Sequence, residues 1–186
     1  MHPSARFWNR MAERYSRAAI SDMPAYLLTL EKTRNALSKD HRVLELGCGT
    51  ASTALDLAPS VREIVASDVS DKMIEIGAGK AKAKGIENIR LVAGDVRDPA
   101  LGDEPYDAVL AFNLLHLVAD LPGELTAIHA RVKPGGLFIS KTICLGDEAV
   151  PLKVKLMLFA LPIARAIGLA PDVRFFSVAE YDAMVR

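Results

Sequence analysis

At 186 residues and 51% hydrophobic composition, the chain has the size and apolar content of one globular domain, large enough to bury a core without staples. Its 23 basic residues balance 23 acidic ones, which excludes the strong overall field that recruits nucleic acid or an anionic membrane at long range and leaves a small, roughly neutral substrate as the expected partner. Two cysteines, Cys48 and Cys144, stand in no metal-ligand spacing, which argues against a metal site and a disulfide framework and suits a cytoplasmic location.

The N-terminus, Met1-His2-Pro3-Ser4-Ala5-Arg6, has neither the apolar run nor the cleavage site of a signal peptide. Helical periodicity covers Arg6 to Arg17 and Pro24 to Leu37, so residues 1–40 read as an N-terminal helical cap. Between residues 41 and 142, short apolar runs alternate with helical patterns. Arg42 to Leu46, Glu63 to Ser67, Ile89 to Ala93, Asp107 to Phe112 and Leu137 to Thr142 read as strands. Ala51 to Ala58, Asp71 to Lys84 and Pro122 to Val132 read as the helices between them. Apolar runs without polar alternation suit strands covered on both faces, so the expected fold is α/β, a doubly wound, mostly parallel sheet with helices on both sides.

Punctuation agrees with these boundaries. Ser70 or Asp71 can cap the helix from Asp71, Gly85 can end it, and Pro134-Gly135-Gly136 separates the last helix from the last strand. Gly77 and Gly79 each cost about 1 kcal/mol in a helix interior relative to alanine, which close packing would explain. Residues 143–186 read as a substrate-side helical segment. Its apolar stretch from Leu152 to Leu169 is interrupted by Lys153, Lys155, Pro162 and Arg165, which argues against a transmembrane segment. Ser177 and Glu180 form a capping-box pattern. No repeat, low-complexity tract or linker marks a second domain.

The segment that carries chemistry is Val43-Leu44-Glu45-Leu46-Gly47-Cys48-Gly49-Thr50-Ala51, an apolar strand running into a glycine-rich turn and then a helix. Ligands of open α/β sheets sit at such strand ends, and glycines at 47 and 49 let the backbone turn tightly against a ligand. The dinucleotide fingerprint needs a third glycine where this chain has Ser52, which disfavours pyrophosphate. Asp68 ends the second strand about 20 residues further on, where a carboxylate can accept ribose hydroxyls. Gly94-Asp95-Val96 puts a second carboxylate on the same rim, able to accept from an adenine amino group. Two acids on successive strand ends fit adenosine without phosphate.

In these residues the sequence resembles the class I S-adenosylmethionine-dependent methyltransferases of the small-molecule type. The resemblance rests on Val43 to Thr50, Ala66-Ser-Asp-Val-Ser-Asp-Lys-Met73, Ala93-Gly-Asp-Val96, Tyr106 to His116 and Val132-Lys-Pro-Gly-Gly-Leu-Phe138. It implies a Rossmann-like fold, S-adenosylmethionine as cofactor and S-adenosylhomocysteine as product. It further implies that Glu45, Gly47 and Gly49 line the methionine part, Asp68 holds ribose, Asp95 and Val96 flank adenine, and Asn113 approaches the sulfonium. Cys48, Val69, Met73, Gly94 and Leu114 complete the expected cofactor-binding set. The family's usual third glycine is Ala51, a departure that a helix start is expected to tolerate. The family's closing antiparallel hairpin has no counterpart in the sequence, so a truncated chain and an open edge inviting a homodimer are expected.

Phe7 to Tyr15 looks like the helix that closes over the cofactor in this group, which would bring Tyr15 to the site. Alternatively Phe7, Met11 and Tyr15, spaced four apart, are only the apolar face of a docked helix. Arg6, Arg10, Arg14 and Arg17 read as a solvated basic face. His116, a few residues past the fourth strand, is the candidate general base, its alternative being a half-buried packing residue. The region around Asn113 lacks an Asn-Pro-Pro-Tyr type motif, which lowers the expectation of a nucleic-acid base or glutamine substrate. The apolar segment Leu152 to Leu161 reads first as core or dimer surface; if it instead shapes the pocket, the acceptor is apolar, aromatic or quinone-like. A cofactor-binding but inactive module and an NAD-dependent oxidoreductase are the competing readings.

Overall fold

The computed structural model describes residues 4–144 and 173–185, and the apolar stretch from Leu152 to Leu169 lies outside them. In chain order the elements are α1 (Ala5–Arg17), α2 (Met23–Ala36), β1 (Arg42–Leu46), α3 (Ser52–Leu57), β2 (Glu63–Asp68), α4 (Asp71–Lys84), β3 (Ile89–Ala93), β4 (Tyr106–Phe112), α5 (Leu121–Arg131), β5 (Val132–Lys141) and α6 (Val178–Val185). The five strands are all parallel in the order β3-β2-β1-β4-β5. The expected doubly wound sheet and its N-terminal helices are thus present.

Alternation along each strand sorts the apolar side chains into two cores. Val43, Ile64, Ala108 and Leu110 pack with Leu30 of α2, Leu55 of α3 and Ala81 of α4. Leu44, Val65, Val109 and Ala111 pack on the other face with Leu121 and Ile128 of α5 and with Phe176 and Tyr181. Both faces of the central strands β2, β1 and β4 are buried, so these strands read as mainly apolar runs. Phe176 and Tyr181 stack at 5.6 Å, and α6 begins with the expected capping box: Ser177 N donates to Glu180 Oε2 at 2.8 Å, and Glu180 N donates to Ser177 Oγ at 3.2 Å.

One boundary differs from the sequence reading. Pro134-Gly135-Gly136 does not separate α5 from β5 but lies inside β5 as a bulge: Val132 pairs with Tyr106, Leu137 pairs with Ala108, and the residues between them are looped out. β5 is the edge strand among the described residues, and there a proline forfeits no ladder bond. Gly85 ends α4 in the left-handed conformation, as expected. Gly77 has a packing reason, because a Cβ there would stand 3.1 Å from Ala51 Cβ. Gly79 meets nothing within 4 Å, and nothing in the structure explains it.

Of the two readings of α1, docking through Phe7, Met11 and Tyr15 is not the one observed. Ala5 and Ala12 are the buried residues, with Asn9 between them. Small side chains let α1 approach α4 closely, and Asn9 Oδ1 accepts from Ser70 Oγ at 2.6 Å and from Lys72 N at 3.3 Å. Phe7 and Tyr15 instead line the cleft described below.

Ser70 is fully buried and has two tasks: it caps α4 by accepting from Met73 N at 3.1 Å, and it donates to Asn9. Ser70→Ala is expected to destabilise the fold by about 1–2 kcal/mol. In denaturant unfolding, a Ser70→Ala and Asn9→Ala cycle should be non-additive; strict additivity would mean that the two side chains do not act together.

Candidate functional site

A cleft of about 1500 Å³ opens at the carboxyl ends of the strands, where the order reverses between β1 and β4. Its floor is the turn after β1. Gly47 and Gly49 have φ of +63° and +54°, a region that side chains rarely adopt. Space imposes the same choice: a Cβ on Gly47 would lie 2.7 Å from Leu114 Cδ1, and one on Gly49 would lie 3.3 Å from Tyr15 Cε1.

Ala51 follows with φ of +59°. The sequence reading took this position as an ordinary helix start; it is instead a third left-handed residue, at which alanine costs on the order of 1–3 kcal/mol of backbone strain. Lys80 of α4 fastens the turn from above, donating to Thr50 Oγ1 at 2.7 Å and Ser52 Oγ at 3.2 Å. Burial lowers the Lys80 pKa, with Lys84 adding to the effect.

Asp68, at the end of β2, organises the rim. Its Oδ2 accepts from Gly49 N and its Oδ1 from Ser70 N, both at 2.9 Å, while its carbonyl accepts from Gly94 N at 2.9 Å. Gly94 is confined by Asp98, whose Cβ would stand 2.6 Å from a Cβ at position 94. Asp95 Oδ1 accepts from Arg97 N at 2.8 Å, and Val96 is buried. After β4, Asn113 adopts φ of +52°, a conformation that asparagine tolerates, and its amide donates to Lys141 O at 2.7 Å.

His116 is 7% exposed, with Nδ1 3.1 Å from Thr142 Oγ1. Burial lowers its pKa, so the imidazole is neutral at pH 7. Tyr15 is 54% exposed, and its hydroxyl pKa is raised, first by partial burial and then by the charge of Asp68. Phe7 and Trp8 meet edge to face at 5.0 Å on the cleft wall.

The cleft brings together Tyr15, Gly47, Gly49, Asp68, Val69, Met73, Gly94, Asp95, Val96, Asn113, Leu114 and His116. Glu45 and Cys48 do not line it. Both are buried in the core on the α3 side, and Cys48 N donates to Ser67 O at 2.9 Å. Arg6 and Arg10, expected on a solvated face, reach the cleft as well as solvent. Sequence reasoning missed Asn9, Lys80 and Thr142, whose partners are distant in the chain, and Ser67. Among the described residues no group of acids, histidines and cysteines could hold a metal, and no helix is long and apolar enough to cross a membrane.

Comparison with known proteins places this geometry. A family model described as methyltransferase domain matches residues 43–136, about half of the chain. The demethylmenaquinone methyltransferase of Geobacillus kaustophilus is 34% identical over 115 residues, which are 60% of this chain and 47% of that protein. The ubiquinone biosynthesis O-methyltransferase of Rhizobium etli is 35% identical over 114 residues, 61% of this chain and 45% of that protein. The chain therefore spans about half the length of the curated relatives it matches. The crystal structure of the YcgJ protein of Bacillus subtilis is similar with a TM-score of 0.69 at 25% identity, covering 85% of this chain and 66% of that one. The DhpI-SAM-HEP complex shares the fold, with a TM-score of 0.64 at 23% identity over 81% of this chain and 68% of that one.

Glu45 sets a pH dependence of stability. It is 3% exposed, Oε2 has no hydrogen-bond partner, and burial pushes its pKa up to about 8, against the pull of the Ala54 amide and with a further push from Asp68. The folded protein therefore holds a proton that the unfolded chain releases near pH 4.5. This contribution is present in full below pH 4.5 and is lost as pH rises towards 8, on the order of 1 kcal/mol per pH unit at the steepest. Glu45→Gln should flatten this decline, so that its stability relative to wild type improves from pH 5 to pH 8 in urea titrations; parallel curves would place the ionisation elsewhere.

Proposed function

The chain belongs to the methyltransferase-domain family, and we propose that it transfers a methyl group from S-adenosylmethionine to a small apolar acceptor bound in the same cleft. The observation that carries this reading is the joint placement of the left-handed glycine turn, Asp68 and Asp95 around one cavity. Gly47 and Gly49 line the cleft with no side chain of their own, so a ligand can approach the backbone of this turn beside Leu114 and Tyr15. A carboxylate can accept about four hydrogen bonds, so the two amides held by Asp68 are compatible with its also accepting ribose hydroxyls. Asp95 stands at the next strand end to accept from the adenine amino group, with Val69 and Val96 against the ring. Ser52 in place of a third glycine, and the acid at Asp95, weigh against NAD.

S-adenosylmethionine supplies a methyl group on a cationic sulfur, already activated towards in-line displacement. The protein's task is then chiefly orientation, which can contribute about 7–11 kcal/mol in favourable systems. Asn113, fixed in its left-handed conformation, holds the reacting end of the cleft beside the Gly47 turn. Neutral His116 accepts a proton from the acceptor, its ring oriented by Thr142 at Nδ1. Tyr15 closes the Gly49 side. Phe7, Trp8, Phe112, Leu117 and Ile143 supply apolar wall beside the charged Arg6, Arg10, Arg97, Asp120 and Glu124; the apolar part supports an apolar acceptor, as do the quinone-related names of the relatives.

Thermal unfolding tests the cofactor. At about 100 times Kd, S-adenosylmethionine or S-adenosylhomocysteine should stabilise the protein by about 2.7 kcal/mol, NAD should not, and Asp68→Ala should abolish the shift. A shift with NAD alone would overturn the reading. With an accepted substrate, His116→Ala should lower kcat by about 10²–10⁴-fold with S-adenosylhomocysteine affinity retained, and the wild-type rate should fall only below the ordinary histidine range, near pH 6.5. Near-normal turnover of His116→Ala would remove the proton-accepting role.

A further inference from the structure

Three buried side-chain atoms among the described residues lack a hydrogen-bond partner: His41 Nδ1, Glu45 Oε2 and Ser67 Oγ. Of these three residues, Ser67 alone belongs to the cleft wall. It is 1% exposed and lies in register between Leu46 of β1 and Val92 of β3, so its hydroxyl stands among aliphatic side chains at the top of the sheet. A buried hydroxyl in such surroundings is costly unless something hydrogen-bonds it, and alanine would fill the same position without that cost.

The neighbours indicate what that partner is. Asp68, the next residue, faces the position assigned to ribose, while Gly94 and Val96, at the adjoining strand end, face the position assigned to adenine. We propose that Ser67 is a ligand-contact residue whose hydroxyl donates to an acceptor atom on the nucleoside half of the bound cofactor. The assignment rests on the methyltransferase reading above. It makes the floor of the cleft polar at one point, beneath the part of the ligand that does not react, so Ser67 contributes to affinity and not to the methyl-transfer step.

Calorimetric titration of wild type and Ser67→Ala with S-adenosylhomocysteine and with 5′-methylthioadenosine, which lacks the amino-acid half, tests the assignment. Wild type should bind both, and Ser67→Ala should lose about tenfold in affinity for each, while the ligand-free variant melts at or above the wild-type temperature. Unchanged affinity, a loss confined to S-adenosylhomocysteine, or a lower melting temperature of the ligand-free variant would overturn it. A wild-type protein that bound neither ligand would overturn the cofactor reading and this assignment together; binding by wild type with no effect of Ser67→Ala would overturn this assignment alone.

Discussion

Asp68 accepts the Gly49 amide through one carboxylate oxygen and the Ser70 amide through the other, while its carbonyl accepts the Gly94 amide. The turn after β1, the first residue before α4 and the turn after β3 are therefore all tied to one residue at the end of β2. Bonds from amides to an ionised carboxylate are stronger than those between neutral groups, and here they fix backbone positions. Because Ser70 in turn holds Asn9, the position of α1 also depends on this residue at one remove.

Space reinforces the same arrangement. Leu114 against Gly47, Tyr15 against Gly49 and Asp98 against Gly94 each crowd the place of a Cβ, so the turns after β1 and β3 are held by contact as well as by hydrogen bonds. Ala51 is the exception that shows how strongly the turn is determined. It keeps a left-handed backbone despite its methyl group, with Gly77 giving room on one side and Lys80 gripping the flanking hydroxyls. Strain of this kind persists only where the surroundings over-determine the conformation.

The central strands β2, β1 and β4 were legible because both their faces are buried, which writes each one as a mainly apolar run. The start of β5 was not, because Pro134-Gly135-Gly136 signals a break, whereas an edge strand can absorb the same residues as a bulge. The docked face of α1 is open between two readings in the sequence because hydrophobicity ranks Phe7, Met11 and Tyr15 above Ala5, Asn9 and Ala12. Close approach selects small side chains, and the partner of Asn9 lies far along the chain. Motif identity gave the glycines and acids at the strand ends that line the cleft, but not the direction of every side chain. Strand alternation, which puts Glu45 on the face of Val43 and Ser67 on the face of Leu44, carried that signal in the sequence already.

Trp8 stands edge to face with Phe7 on the cleft wall, and it is the one tryptophan in the sequence. The indole emission of the protein therefore originates at a single place, on the helix that borders the cavity. Any change in polarity or water access there is read directly as a change of wavelength or intensity, undiluted by other indoles. The molecule carries its own optical probe of whether the cleft is filled, without a label and without knowledge of the acceptor.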